Sequence, residues 1–378
     1  MSESIKLSEK IGGKIETRSK QKLNKNNLKV LYTPGVADVC NAIYKNKKKS
    51  FDYTIRKNTV AVISDGSAVL GLGNIGPEAA LPVMEGKALL FKELAGVDAF
   101  PLVLATQDTE EIISIVKALA PTFGGINLED ISAPRCFEIE ERLKAELSIP
   151  VFHDDQHGTA IVVLAGLYNA LNVVNKKIAK IKIVISGAGA AGIAIAKLLK
   201  KAGAKNIILV DSVEAIYKGR TNRMNLVKDE MSLLSNPNNE KGSLSNVIVG
   251  ADVFIGVSAP NILKDSDLQN MNEKSIIFAM SNPIPEIMPD KAIAAGAYIV
   301  ATGRSDFANQ INNVLVFPGL FRGALDNRVS KITDTHKIKA AQSLAALVKK
   351  PNRNNIIPKA LDKNAVEVVA QVFKKKSV

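Results

Sequence analysis

Tryptophan is absent from the 378 residues, cysteine occurs twice and histidine three times. Cys40 and Cys136 lie far apart without metal-ligand spacing, which argues against a disulfide framework or a cysteine-held zinc ion and leaves two reduced packing residues. No apolar run approaches the ~20 residues that span a bilayer. The polar start MSESIKLSEKIGGK also lacks the apolar centre of a secretory signal. The expectation is a cytoplasmic protein with no membrane partner. Low-complexity linkers and repeats of solenoid period are missing as well.

What is present in excess is positive charge, +13 from 50 basic and 37 acidic residues. The lysines are scattered over helical surfaces and runs such as Lys45 to Lys49 rather than gathered in a stripe, so no nucleic-acid partner is expected. With 46% hydrophobic residues, a chain of this length supports two domains, each with its own core.

From residue 59 to 155, strand-like runs (TVAVISDG, AFPLVLATQD, FGGINLEDI, PVFHDD) alternate with helix-like segments at 76–96, 109–120 and 134–147. This is the rhythm of a parallel sheet with crossover helices. Every strand ends in polar residues: Asp65, Gln107 with Asp108, Glu129 with Asp130, and Asp154 with Asp155. Ligands bind outside the carboxyl ends of such strands, so these ends are expected to converge. Carboxylates crowded at an apolar edge repel one another and lose hydration, which calls for a hard divalent cation bound by oxygen. His153 and His157 offer a rival zinc pair at four-residue spacing, but only His336 remains as a third histidine.

A helix beginning near Thr159 is apolar nearly all round and reads as a buried connector. After it, IKIVIS, NIILVDS, ADVFIGVS, SIIFAMSNP and AYIVATG repeat the α/β alternation, and 218–243 reads as a helix with an exposed loop. The fold class is therefore α/β with two domains: residues 1–158 for substrate and metal, 159–305 as a Rossmann-type NAD-binding domain, and 306–378 as a segment packing back on the first.

In GAGAAG, Gly187, Gly189, Ala190, Ala191 and Gly192 follow a strand and open a helix, the setting for a dinucleotide pyrophosphate. Asp211 ends the next strand, where a carboxylate accepts hydrogen bonds from the adenine ribose. Ser212 and Val213 offer no cation, which favours NAD over NADP, although Arg220 and Arg223 follow nearby.

Three further tracts are LYTPGVADVC with Tyr32, ISDGSAVLGLGNIGP with Asp65, and PVMEGKALLFKELAGVDAFP with Lys87. Together with HDDQHGTA, GAGAAG, SNP and NNVLVFPG, they resemble the compact microbial form of the malic enzymes, from about Tyr32 to Asp326. The resemblance implies oxidation of malate with reduction of NAD, NADP being possible, then decarboxylation to pyruvate with Mg²⁺ or Mn²⁺. It implies Lys87 as general base, Tyr32 as general acid, Asp154 as the neighbour of the lysine, and Glu129, Asp130 and Asp155 as metal ligands. Ser258 and Asn282 fall on the cofactor side, and Asn282 and Asn313 face the substrate. A metal-held hydroxy acid suits three carboxylates, and a lysine near such a cation has its pKa lowered toward neutrality.

Ala68 stands where the large eukaryotic-type relatives carry a substrate-binding arginine. Ser67 and the backbone from Gly66 to Leu70 are left as carboxylate donors, and Asp65 either positions Lys87 or caps a helix. Val213 replaces a lysine found in many compact relatives, which again favours NAD. No acyltransferase-like extension is expected. The family implies a homodimer or higher homo-oligomer, with Tyr32 able to complete a neighbour's site. A malolactic-type conversion with bound NAD and a catalytically silent binding protein of the same fold are the alternatives.

Overall fold

The computed structural model of the chain describes residues 2–374. Its first sheet contains β1 (Thr59–Ser64), β2 (Asp98–Val103), β3 (Gly125–Leu128) and β4 (Val151–His153), all parallel, in the order β2-β1-β3-β4. Each residue of β1 is buried, as its unbroken TVAVIS run requires when helices cover both faces. The crossover helices are Pro77–Ala95, Thr109–Leu119 and Arg135–Glu146. The second sheet holds β5 (Lys182–Ser186), β6 (Asn206–Val210), β7 (Val253–Gly256), β8 (Ile276–Ala279) and β9 (Ile299–Thr302), also parallel, in the order β6-β5-β7-β8-β9. Strand order reverses between β5 and β7, the crevice where open parallel sheets bind ligands.

The helix Asp154–Val174 joins the two sheets. It starts five residues before the expected Thr159, because β4 stops at His153 and the acidic pair is already helical. Polar residues in a first helical turn look like loop residues in sequence, hence the misplacement. By length and composition this helix could cross a membrane, yet most of it is buried inside the protein. It packs along the helices Ala190–Lys201 and Asp334–Leu347.

The C-terminal helices Phe317–Asp326 and Lys363–Ala370 pack back against Pro77–Ala95. Phe91 meets the rings of Phe317 and Phe321 edge-on, with centroids 4.8 and 5.4 Å apart. Residues 2–58 contrast with this core, since none of them is buried. They expose Ile5, Leu7, Ile11, Leu28, Val30 and Leu31 among other apolar side chains.

Asn169, on the buried side of the connecting helix, donates from Nδ2 to the carbonyls of Ala345 and Ile356, each at 2.9 Å. Replacing it with leucine strands two buried acceptors. Asn169→Leu is expected to cost about 2–4 kcal/mol, read as a lower denaturant midpoint.

Candidate active site

Lys87 lies on the inward stripe of its helix with Ala80, Met84 and Phe91, which explains a lysine only 7% exposed. Its Nζ is 2.5 Å from Asp154 Oδ2 and 2.9 Å from Glu129 Oε1, and it sits 4.1 Å over the ring of Phe317. Burial alone would lower its pKa, but Asp154 and Glu129 outweigh that and hold the ammonium above its ordinary value. Among the protein's own groups, the balance thus runs opposite to the lowered value expected from the sequence, because the nearest charges are carboxylates.

Asp154 is fully buried, and its Oδ2 also accepts from Asn313 Nδ2 at 2.5 Å. A Cβ on Gly158 would fall 1.9 Å from Asp154 Oδ1, so only glycine one turn along leaves room for this carboxylate. Asn313, expected against substrate, is engaged with the aspartate.

Glu129, Asp130 and Asp155 each turn one oxygen into a common space, all within 4.8 Å of one another. Burial and mutual repulsion push Asp130 up to about 9 and Asp155 up to about 6, and they raise Glu129 as well. Asp155 Oδ2 accepts from the backbone N–H of Asp130 at 2.8 Å, while Asp130 Oδ2 is buried with no partner among the described residues. An oxygen-only set carrying surplus negative charge and an orphaned acceptor fits a hard divalent cation.

The polar ends of the strands do not all converge. Asp108 caps the helix Thr109–Leu119 by accepting from Glu111 N, and Gln107 pairs with Asn74. Asp65 neither touches Lys87 nor caps a helix. Its Oδ1 accepts from the backbone and hydroxyl of Ser67 at 3.0 and 2.5 Å, and its Oδ2 accepts from Arg135 Nη2 at 2.6 Å. Ser67 Oγ in turn accepts from Ser132 N and Arg135 Nη2, both at 2.9 Å. Its single proton goes to Asp65, which leaves the hydroxyl no donor for a substrate carboxylate. Arg135, missed in the sequence for want of any spacing signal, thereby ties the loop after β1 to the loop after β3.

At the dinucleotide edge, Gly187 has φ 114° and a Cβ there would lie 2.5 Å from the Val257 carbonyl, while one on Gly192 would lie 1.8 Å from the Gly187 carbonyl. Gly189 faces open space at the start of the Ala190–Lys201 helix, and Ala190 and Ala191 form its first turn. Ser258 Oγ is 3.0 Å from Ser186 Oγ across the β5–β7 crevice. Asn282 belongs to the same rim, and its carbonyl would meet a Cβ on Gly71 at 2.4 Å, so the loop after β1 closes against the second domain there.

Asp211 departs from the sequence reading. Arg220 Nη2 donates to both of its oxygens at 2.9 and 2.8 Å, and Lys228 Nζ lies 2.6 Å from Oδ2. Burial opposes ionisation, but these cations hold its carboxyl down at about 2. Cations therefore do stand beside Asp211, the residue expected at the ribose. Arg220, already noted nearby in sequence, is nine residues further along, and Lys228, seventeen residues on, lies beyond the reach of a local motif.

Tyr32 is 66% exposed, and no hydrogen bond joins its hydroxyl to Lys87 or Asp154 among the described residues. The histidine pair does not form a metal site either. His157 Nε2 lies 2.8 Å from Glu140 and 3.2 Å from the ammonium of Lys144, a neighbour that repels a cation.

Comparison with known proteins covers both halves of the chain. Residues 12–144 match the family model described as malic enzyme, N-terminal domain, and residues 156–377 match that of malic enzyme, NAD binding domain. The chain is 60% identical over 364 residues to an NAD-dependent malic enzyme of Geobacillus stearothermophilus, spanning 96% of this chain and 76% of that one. It is 56% identical to a bifunctional malic/malolactic enzyme of Bacillus subtilis, spanning 96% and 89%. A crystal structure of an NAD-dependent malic enzyme from Thermotoga maritima superposes with a TM-score of 0.96 at 49% identity, covering 99% of each chain.

The Asp211 cluster yields a measurable preference. A ribose phosphate gains more from Lys228 than a free hydroxyl does. Lys228→Met is therefore expected to weaken NADP binding roughly tenfold while changing NAD binding little, as read by fluorescence titration of the two reduced coenzymes.

Proposed function

The chain belongs to the malic enzyme family, and on that premise we propose that its cleft converts malate and NAD⁺ to pyruvate, carbon dioxide and NADH. The observation that carries this reading is the juxtaposition of Lys87, 2.5 Å from Asp154, with the oxygen cluster of Glu129, Asp130 and Asp155. When bound, Mg²⁺ or Mn²⁺ supplies charge neutralisation and polarisation of the hydroxy acid, and NAD supplies the hydride acceptor. Lys87 Nζ, after passing its own proton to Asp154, takes the hydroxyl proton of malate. Asp154, whose carboxyl burial raises to about 7, is a proton-sharing partner for that lysine near neutral pH, and Asn313 fixes its orientation. Tyr32 Oη returns a proton to carbon after carbon dioxide leaves. NAD is the preferred coenzyme, with NADP admitted through Arg220 and Lys228. Two free cysteines accord with a reaction in the cytoplasm.

We further infer a homodimer in which Tyr32 serves the neighbouring copy. An exposed N-terminal segment rich in apolar side chains, with Tyr32 turned to solvent, supports this arrangement. One second reading has specific support, since the Bacillus subtilis relative is named a bifunctional malic/malolactic enzyme. It would appear as lactate formed without net NADH.

Absorbance at the NADH band, with malate, NAD and Mn²⁺ and with pyruvate assayed as product, tests the main reaction; no turnover with either coenzyme would sink it. Asp155→Ala is expected to abolish metal-dependent turnover and leave NAD binding intact. For the exchanged tyrosine, Tyr32→Phe and Lys87→Ala proteins, each inactive alone, should recover roughly a quarter of wild-type activity when dissociated and reassociated in equal amounts. Absence of any recovery in verified mixed dimers would assign Tyr32 to its own subunit.

A further inference from the structure

A second concavity, of about 710 Å³, lies where five helices meet. They are Arg135–Glu146, the start of Asp154–Val174, Ala190–Lys201, Leu226–Leu234 and Asp334–Leu347. It therefore touches the first domain, the dinucleotide domain and the C-terminal segment together. Part of its wall is apolar, formed by Phe137, Ile193, Leu198, Met231 and Leu234.

The polar part holds a buried group that the catalytic cleft does not use. Lys337 is 5% exposed, and its Nζ has two partners, His157 Nδ1 at 3.1 Å and Asp334 Oδ1 at 3.3 Å. An ammonium has three N–H bonds, so one is left over among the described residues, and Asp334, 52% exposed, compensates the charge weakly. Across the imidazole, Lys144 Nζ lies 3.2 Å from His157 Nε2 and 2.5 Å from Glu140 Oε1. Glu140 also takes His157 at 2.8 Å and the backbone N–H of His153 at 3.1 Å. Glu140 thus serves Lys144 and His157, while Lys337 has only the exposed Asp334 as a carboxylate partner among the described residues. Lysines 197, 200 and 201 also border the cavity, and of these Lys197 is paired with Glu230 at 2.7 Å. Glu141 lines the cavity as well, yet the buried ammonium of Lys337 with its spare N–H favours an anion at that end.

We propose that this cavity is a regulatory site for an amphiphilic organic anion, with its phosphate or carboxylate head on Lys144 and Lys337 and its apolar body against Phe137, Ile193, Leu198 and Met231. The occupant bridges helices of both domains and bears on His157, in the same first helical turn as Asp154 and Asp155. It thereby biases the relative position of the domains that the cleft requires, which couples the two sites.

Calorimetric titration of the full-length protein, saturated with NAD and Mg²⁺, tests binding without depending on turnover. The probes are phenyl phosphate, phenylacetate and inorganic phosphate. One aromatic anion should bind saturably at one site per chain and more tightly than inorganic phosphate, and the tighter of the two identifies a phosphorylated or a carboxylated ligand. Lys337→Met should weaken that binding roughly tenfold or more. Lys144→Gln, at a partly exposed position, is measured in parallel, with NAD affinity as the check that each variant is folded. Failure of both aromatic probes to bind saturably, binding unchanged in a folded variant, or phosphate binding as tightly as phenyl phosphate would each overturn the proposal.

Discussion

Three buried carboxylates, a half-buried fourth and one ammonium crowd together, and the repulsion among Glu129, Asp130, Asp154 and Asp155 is the constraint around which the rest of the protein is arranged. Such a set does not persist in a pliable pocket, because each group gains by moving apart or by taking a proton. Each is accordingly anchored to an element that cannot yield. Glu129 and Asp130 follow β3 directly, Asp154 and Asp155 are the first residues of the central helix, and Lys87 projects from the buried stripe of another. The C-terminal segment closes the arrangement with Phe317 over the ammonium and Asn313 on Asp154. Three separate stretches of chain thus meet at one lysine, which gives a physical reason for the C-terminal helices to return to the first domain.

Much of this was readable from residue order. Unbroken β-branched runs announced both parallel sheets, and GAGAAG sat where β5 meets its helix, because local pattern determines those features. The gathering of Glu129, Asp130 and Asp155 was legible for the same reason, since doublets at strand ends are placed by the sheet itself. What escaped was set by contacts between distant residues. Arg220 is visible near Asp211 in sequence, but nothing there announces Lys228, and nothing around Ser67 announces that Arg135, 68 positions later, would absorb its hydroxyl. Gly158 fell just before the helix expected from Thr159, and only the helix's start at Asp154 shows it as a helical glycine whose missing Cβ leaves volume for another group.

The two domains are connected by more than a linker. Asn169 fastens the middle of the joining helix to the C-terminal segment, its first turn holds the carboxylates, and its side packs on the glycine-led helix of the dinucleotide domain. Where Asn282 approaches Gly71, the rims of the domains are already in contact. Movement between them is therefore transmitted at the site of chemistry rather than around it.

The start of that joining helix has one more implication. His153 offers it no side-chain cap, so Asp154 and Asp155 themselves occupy the turn where unpaired N–H groups concentrate partial positive charge. A dipole summed over 21 residues acts on both carboxylates before any ligand arrives, and it favours their ionised forms against the burial that opposes them. The acid strength of the site is in this sense a property of an entire secondary-structure element. Fraying of a single turn would alter its charge and its geometry in the same event.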